Sequence, residues 1–352
     1  MKKFLYVILG VLFLSSCRSN LYVLPSLPPE TSVADSIRLV DTEITSSKAG
    51  SGYRGISRVR TYKFSHPDVP AAFDGFRIAF ISDLHYKSLF KEKGLENLVR
   101  LLNDQRADVL LVGGDLHEGC EYVAPVISAL AAVKVPMGTY MVLGNNDYEA
   151  CYADIVRQLE AHNIHLLEHR VDTLKRDGAE ILIAGVRNPF NLQKNGVSPT
   201  LALSPDDFVI LLTHTPDYAE DVAITNTDLV LAGHTHGGQV TLFGLYAPIL
   251  PSHYGQRFRG GLKRNSQGTP MIITNGLGTS NKNIRITIGE FRQNLFMSIL
   301  AFVVSISILS TLACGNVFLT CASTPSVPAL KPETYLEPHE GHTVILGVVY
   351  PQ

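Results

Sequence analysis

Five short apolar runs, each ending in a loop of aspartate, asparagine or histidine, constrain this chain more than any other feature. The runs are 78–82, 108–112, 140–143, 209–213 and 229–232. Behind them come Asp83-Leu84-His85, Gly113-Gly114-Asp115, Gly144-Asn145-Asn146-Asp147, His214 and Gly233-His234-Thr235-His236. Runs of this length, bounded by glycine and polar loops, read as buried strands. The stretches that follow the first three carry apolar residues at helical spacing: Leu95, Leu98, Val99 and Leu102, then Val123, Val126, Ile127 and Leu130, then Cys151, Ile155 and Leu159. The resulting β-α-β-α-β order predicts an α/β domain with a mostly parallel sheet and right-handed crossovers. Further strands are expected at 181–186 and 271–274, and Arg176-Asp177-Gly178 predicts a hairpin turn.

In open α/β sheets ligands bind outside the carboxyl ends of the strands, so the five loops should converge on one crevice. They would bring together Asp83, His85, Asp115, Asn145, His214, His234 and His236. These are oxygen and imidazole donors without thiolate, a set that suits manganese, iron or zinc. Seven ligands exceed one tetrahedral site. With one shared carboxylate they divide between two ions about 3.5 to 4 Å apart, the spacing that clamps a phosphoryl group during in-line displacement. Asp115 is the expected bridge.

The run Asp83-x-His85, Gly114-Asp115, Gly144-Asn145-Asn146-Asp147, His214 and Gly233-His234-x-His236 resembles the five-motif signature of calcineurin-like metallophosphoesterases. The resemblance implies two mixed β-sheets packed face to face and flanked by helices, a four-layer sandwich. It implies Asp83, His85 and His236 on one divalent ion, Asn145, His214 and His234 on the other, and Asp115 between them. It also implies cleavage of a phosphodiester or pyrophosphate bond by metal-bound hydroxide. Asn275-Gly276-Leu277-Gly278-Thr279-Ser280 is similar to the small membrane-associated bacterial branch, in which some relatives cleave UDP-2,3-diacylglucosamine. That substrate is made at the cytoplasmic face, whereas the N-terminus of this chain reads as an outward signal.

One position departs from the family pattern. A histidine that contacts phosphate and protonates the leaving oxygen usually follows Asn145, and here Asn146 stands in its place, with Asp147 left without the imidazole it would orient. Asparagine donates a hydrogen bond but delivers no proton, which removes general-acid help worth roughly a hundredfold or more. Asp115, Asn146 and Asp147 are therefore the expected catalytic residues, on three alternative readings. The substrate has a good leaving group, or His117 or Glu118 supplies the proton, or the domain is a catalytically weak, metal-dependent binder of phosphate ligands.

The 352 residues carry a formal net charge of −2 and give no electrostatic reason to expect nucleic acid as a partner. Residues 1–17 open with Lys2 and Lys3, run apolar, and end at Leu14-Ser15-Ser16-Cys17, the layout of a secretory signal that resembles the bacterial lipoprotein type, with an uncleaved N-terminal anchor as the alternative. Residues 18–55 read as a linker, 56–290 as the metallophosphoesterase domain, 295–313 as a transmembrane or second signal-like segment, and 314–352 as a tail of unassigned role ending in a strand-like stretch. The expected location is the cell envelope, with the domain outside the cytoplasmic membrane. The expected partners are that membrane and a phosphate ester, lipid- or nucleotide-linked. Cys120 and Cys151 read as small buried hydrophobes. His162, His165 and His169 read as solvated or locally bonded, and Tyr254, Arg257, Arg259 and Lys263 as either a substrate-facing loop or a solvated turn.

Overall fold

Each of the five apolar runs forms a strand, and the strands divide between two sheets, as the resemblance implies, where the spacing alone suggested one. The computed structural model describes residues 36–44, 56–187, 196–280, 283–288 and 342–351. The expected segments 1–17 and 295–313 lie outside them, and no helix of the described residues is long and apolar enough to cross a membrane.

The first sheet contains β1 (Ser36–Ile44), β2 (Ile56–Ser65), β3 (Phe76–Ile81), β4 (Val109–Val112), β5 (Thr139–Met141), β6 (His165–Leu166) and a last strand, β15 (Thr343–Pro351). Their spatial order is β1-β2-β15-β3-β4-β5-β6, parallel from β15 to β6 and antiparallel at the β1-β2-β15 end. Helices α1 (Glu92–Gln105), α2 (Val123–Ala131) and α3 (Tyr152–Ala161) are the crossovers that the spacing predicts. The second sheet contains β7 (Arg170–Arg176), β8 (Ala179–Gly185), β9 (Val209–Leu212), β10 (Leu229–Ala232), β12 (Gly261–Arg264) and β13 (Pro270–Ile273), in the order β12-β13-β10-β9-β8-β7. Its centre is parallel and both edges are antiparallel. The β7-β8 hairpin turns at Asp177 and Gly178, both at positive φ, the geometry that matches strand twist in a two-residue turn. A short parallel pair, β11 (Val240–Leu242) with β14 (Ile286–Ile288), stands apart.

Alternation within the strands makes the layers. Ile78 and Phe80 of β3, Val109 and Leu111 of β4, Ile210 and Leu212 of β9, and Leu229 and Leu231 of β10 share one core between the sheets. Their neighbours Ala79, Ile81, Leu110 and Val112 pack instead against Leu98, Leu102, Ile127, Leu130 and Ile155 of the helices. On the far side, Val209, Leu211, Val230 and Ala232 cover Tyr218, Ile224 and Phe258. Strands buried on both faces have no polar face, and this is why the runs read as unbroken apolar stretches.

Two segments behave differently from their reading. Within the expected linker, 36–44 pairs antiparallel with β2 as an edge strand. The strand-like stretch at the end of the chain lies inside the sheet, with Gly347 opposite both Thr61 of β2 and Ala79 of β3. Asp74 secures its start by accepting hydrogen bonds from the Thr343 backbone and hydroxyl at 2.9 and 3.0 Å.

The reading of Cys120 and Cys151 as separate buried thiols is corrected: they form a disulfide, with Cα atoms 5.2 Å apart. Cys120 opens the turn before α2 and Cys151 immediately precedes α3, so packing of these two helices brings the cysteines side by side. Closing a loop across a separation of 31 residues restricts the unfolded chain and contributes about 3 to 4 kcal/mol. Cys120→Ser combined with Cys151→Ser is therefore expected to lower the melting temperature by roughly 6 to 15 °C. An identical melting temperature with and without dithiothreitol would contradict this.

Candidate metal centre

The loops leaving β3, β4, β5, β9 and β10 meet at one end of the two-sheet core. Hydrogen bonds beyond the strands lock them together: Asp83 N–H donates to the Gly114 carbonyl, His85 N–H to that of Asp115, and Gly233 N–H to that of His214. Asp83, His85, Asp115, His234 and His236 all have positive φ, between 38° and 67°. L-residues avoid this region, and such strain persists where surrounding structure over-determines it, above all at functional sites. Glycine makes the crowding feasible. A Cβ on Gly144 would collide with the Asp115 carboxylate, one on Gly233 with that of Asp83, and one on Gly278 with the Leu84 carbonyl.

Asp83, His85 and His236 form one group able to hold an ion, and Asp115, His214 and His234 a second. Asp115 belongs to both in effect. Its Oδ2 lies 3.3 Å from His85 Nε2 and 3.4 Å from His214 Nε2, the position expected of a bridge. His236 Nε2 is 3.4 Å from Asp83 Oδ1. His234 Nδ1 and His214 Nε2 approach to 3.2 Å, each presenting a nitrogen to the same point. Asn145 Oδ1 is buried and has no hydrogen-bond partner among the described residues.

The outer nitrogens of His85, His214 and His234 are held, which fixes their tautomers, while that of His236 has no hydrogen-bond partner among the described residues. His85 Nδ1 donates to Glu118 Oε1 at 2.6 Å, His214 Nδ1 donates to the Gly113 carbonyl at 2.7 Å, and the Pro251 carbonyl accepts from His234. A metal-binding imidazole is oriented by such partners. Burial works against charge on His85 and His214. The Asp115 carboxylate outweighs it for both, aided by Glu118 at His85 and by Asp83 and the Gly113 carbonyl at His214, and they are pushed up to about 10 and about 9. Burial likewise opposes the Asp115 charge, yet the same two imidazoles hold its carboxyl well below the usual range. Burial and then His214 push His234 down to about 3, and burial and then His85 hold His236 well below an ordinary histidine. Positive charge is thus favoured beside Asp115, whereas burial pushes the Asp83 carboxyl up. Together with the unpartnered Asn145 oxygen and the converging nitrogens, this fits a pair of divalent cations held by the seven residues.

The remaining expected residues fall into different places. Asn146 lies at the rim of the centre: its N–H donates to Asp115 Oδ1 at 3.0 Å and its Nδ2 is 3.3 Å from His85 Nδ1. Its own Oδ1 accepts from Asn145 Nδ2 at 2.7 Å. Asp147 is fully buried and accepts from the backbone N–H of Asp115, Leu116 and Gly144 at 2.7, 3.0 and 2.9 Å. It ties the second and third motif loops together and positions Asp115. Glu118, weighed as a proton donor, is engaged by His85. His117 is buried, accepts from Gly119 N–H and faces Asp147 at 3.9 Å, so it points into the loops. Tyr254 bonds Asp221 and Arg257 pairs with Glu220 through two nitrogens, and both contacts are structural ties.

Arg285 plays a part that its sequence position did not suggest. Its guanidinium donates to the carbonyls of His236, Asn275 and Gly278 at 3.1, 3.1 and 2.7 Å, and burial pulls it down to about 10. It staples the loop bearing His236 to the glycine-rich segment that packs on Asp83. A lone arginine before a short exposed strand offers no pattern from which this could be read.

Fold and site together define a metal-dependent phosphoesterase. Residues 76–238 match the family model for the calcineurin-like phosphoesterases. The metallophosphoesterase YkuE of Bacillus subtilis (strain 168) is 30% identical over 223 residues, covering 62% of this chain and 77% of that protein. A metallophosphoesterase of Helicobacter pylori (strain ATCC 700392 / 26695) is 29% identical over 57% of this chain and 54% of its own length. A transmembrane protein with metallophosphoesterase domain from Danio rerio is 25% identical over 62% of this chain and 52% of its own length. The chain belongs to the calcineurin-like metallophosphoesterase family. It spans little more than half the length of the Helicobacter and Danio relatives. Among solved structures, Haemophilus influenzae NAD nucleotidase is similar with a TM-score of 0.41 and 18% identity, covering 57% of this chain and 45% of that one.

Proposed function

We propose that this chain is a two-metal hydrolase of phosphodiester or pyrophosphate bonds, acting in a cell envelope outside the cytoplasmic membrane. The observation that carries the chemistry is the position of Asp115, within 3.4 Å of a nitrogen from each of two imidazoles that belong to different ion-binding groups. Asp83, His85 and His236 would hold one ion, Asn145, His214 and His234 the other, and Asp115 both. Bound there, two divalent ions supply Lewis acidity and an acidified water. The protein's own residues supply orientation. Asp147 fixes the loop that aims Asp115, Glu118 and the Gly113 carbonyl fix the imidazoles, and Asn146 places an amide donor at the rim where a phosphate oxygen would lie. That amide transfers no proton, which favours substrates whose leaving group departs as a stable anion, such as a nucleotide phosphate.

The manganese-loaded full chain is expected to hydrolyse bis-p-nitrophenyl phosphate and to lose that turnover on removal of the ions. Stoichiometric manganese binding without turnover would instead support a binding protein.

Two observations support the envelope location: the cysteine-ended signal at 1–17 and the Cys120–Cys151 disulfide, a bond that persists in oxidising compartments. Incorporation of labelled palmitate that is lost in Cys17→Ser is the expected result. Equal labelling of both forms would sink the anchor.

A further inference from the structure

On the side of His236 the metal centre opens into a cleft of about 500 Å³. Its walls carry Arg58, Arg60, Arg259 and Arg285, with Gln239 and Asn275 between them, and no carboxylate among the described residues lines it. The four arginines come from three separate parts of the chain. Arg58 and Arg60 stand two apart on β2 around the buried Val59, so they share one face of the strand. Arg259 follows the turn Gly255–Phe258, and Arg285 precedes β14. Two of the guanidiniums differ in kind. That of Arg285 is fixed by three carbonyls, whereas among the described residues no hydrogen bond or ion pair engages that of Arg259. A cleft lined by one sign of charge focuses its potential on a ligand of the other sign, and a guanidinium fork matches a phosphate through paired N–H bonds.

His236 belongs both to the cleft wall and to an ion-binding group. A molecule whose phosphate ester sits on the metal centre therefore extends directly into the arginines. We propose that this cleft is a second anion subsite of the same active site, holding a phosphate other than the one under attack, so that the preferred substrates carry two phosphate groups. The inference rests on the phosphoesterase reading above and adds a substrate class to it. The second phosphate has two chemical sources, a soluble nucleotide-like molecule or a lipid headgroup. The outer lip is relevant to the choice: Gly244 and Ile286 line the cleft, and beside them Phe243, Leu245, Tyr246 and Ile288 are each more than half exposed.

The test uses two esters with the same scissile bond, thymidine 5′-(4-nitrophenyl phosphate) and its 3′-phosphorylated form, with the manganese-loaded full chain. The added phosphate is expected to raise kcat/KM at least about tenfold, as a charge-assisted contact would. Arg259→Gln and Arg58→Gln should each bring the ratio between the two esters toward one, while Arg259→Lys retains part of it. Equal kcat/KM for the two esters in the unaltered protein overturns the proposal. If neither ester is hydrolysed, the phosphoesterase reading has failed, and the subsite is judged by calorimetry alone. Thymidine 3′,5′-bisphosphate should then bind at least about tenfold more tightly than thymidine 5′-phosphate, and equal affinities overturn it. The source is read from dioctanoyl phosphatidylinositol 4-phosphate against glycerophosphoinositol 4-phosphate. Tighter binding of the acylated form assigns a lipid, and equal binding a soluble substrate.

Discussion

Asp115→Ala is expected to reduce manganese-dependent turnover of bis-p-nitrophenyl phosphate more than a hundredfold and to lower the number of bound ions. Losing a group that merely orients a metal ligand costs about 10- to 100-fold, and Asp115 approaches both ion-binding groups directly. Its removal also strips the buried His85 and His214 of the carboxylate that sustains their charge, so both imidazoles should fall toward neutrality in the ion-free protein. Turnover within tenfold of the unaltered protein, with both ions retained by elemental analysis, would rule out a bridging role. The circular dichroism spectrum distinguishes loss of the centre from loss of the fold.

Asn146→His is expected to act on one class of substrate. Position 146 faces the centre beside His85, so an imidazole there can serve an ester whose leaving group needs a proton. Turnover of an alkyl nitrophenyl-free phosphodiester should rise by roughly a hundredfold, while bis-p-nitrophenyl phosphate, whose phenolate leaves unaided, should change little. No gain on the alkyl ester would mean that proton delivery does not limit this enzyme. One feature tempers the design. Asp147 is fully occupied by three backbone N–H groups, so a new histidine would need its orientation from elsewhere. Glu118, which approaches the same His85 nitrogen as Asn146 does, is one carboxylate that could supply it.

The layered fold was legible because strands buried on both faces are unbroken apolar runs, and the helices between them announce themselves by spacing. The candidate ligands were legible because each directly follows a strand. Partition into two sheets was not a matter of pattern. Ile78 and Ile210 are equally apolar, and only the resemblance implied that they face each other across a common core. The edge strand β1 went unread since Leu39 and Val40 are both nearly half exposed and polar residues interrupt the run. The Cys120–Cys151 pairing depends on helix packing, which spacing does not encode. The arginine cleft is likewise assembled from residues 58 to 285, of which only Arg259 stood in a stretch that could be read as substrate-facing.

The place of β15 has a consequence for the order of events in biosynthesis. The strand that delivers Asp83 and His85 has β4 on one side, and its other neighbour is β15, which follows all seven candidate ligands along the chain. A ribosome-bound polypeptide on which β15 is not yet made therefore carries all seven candidate ligands while the sheet beneath them still lacks an interior strand. The metal centre's support is complete only once β15 has been made and has paired between β2 and β3. A fragment ended at residue 290, the boundary that the motifs suggest, would carry every motif and lack that strand.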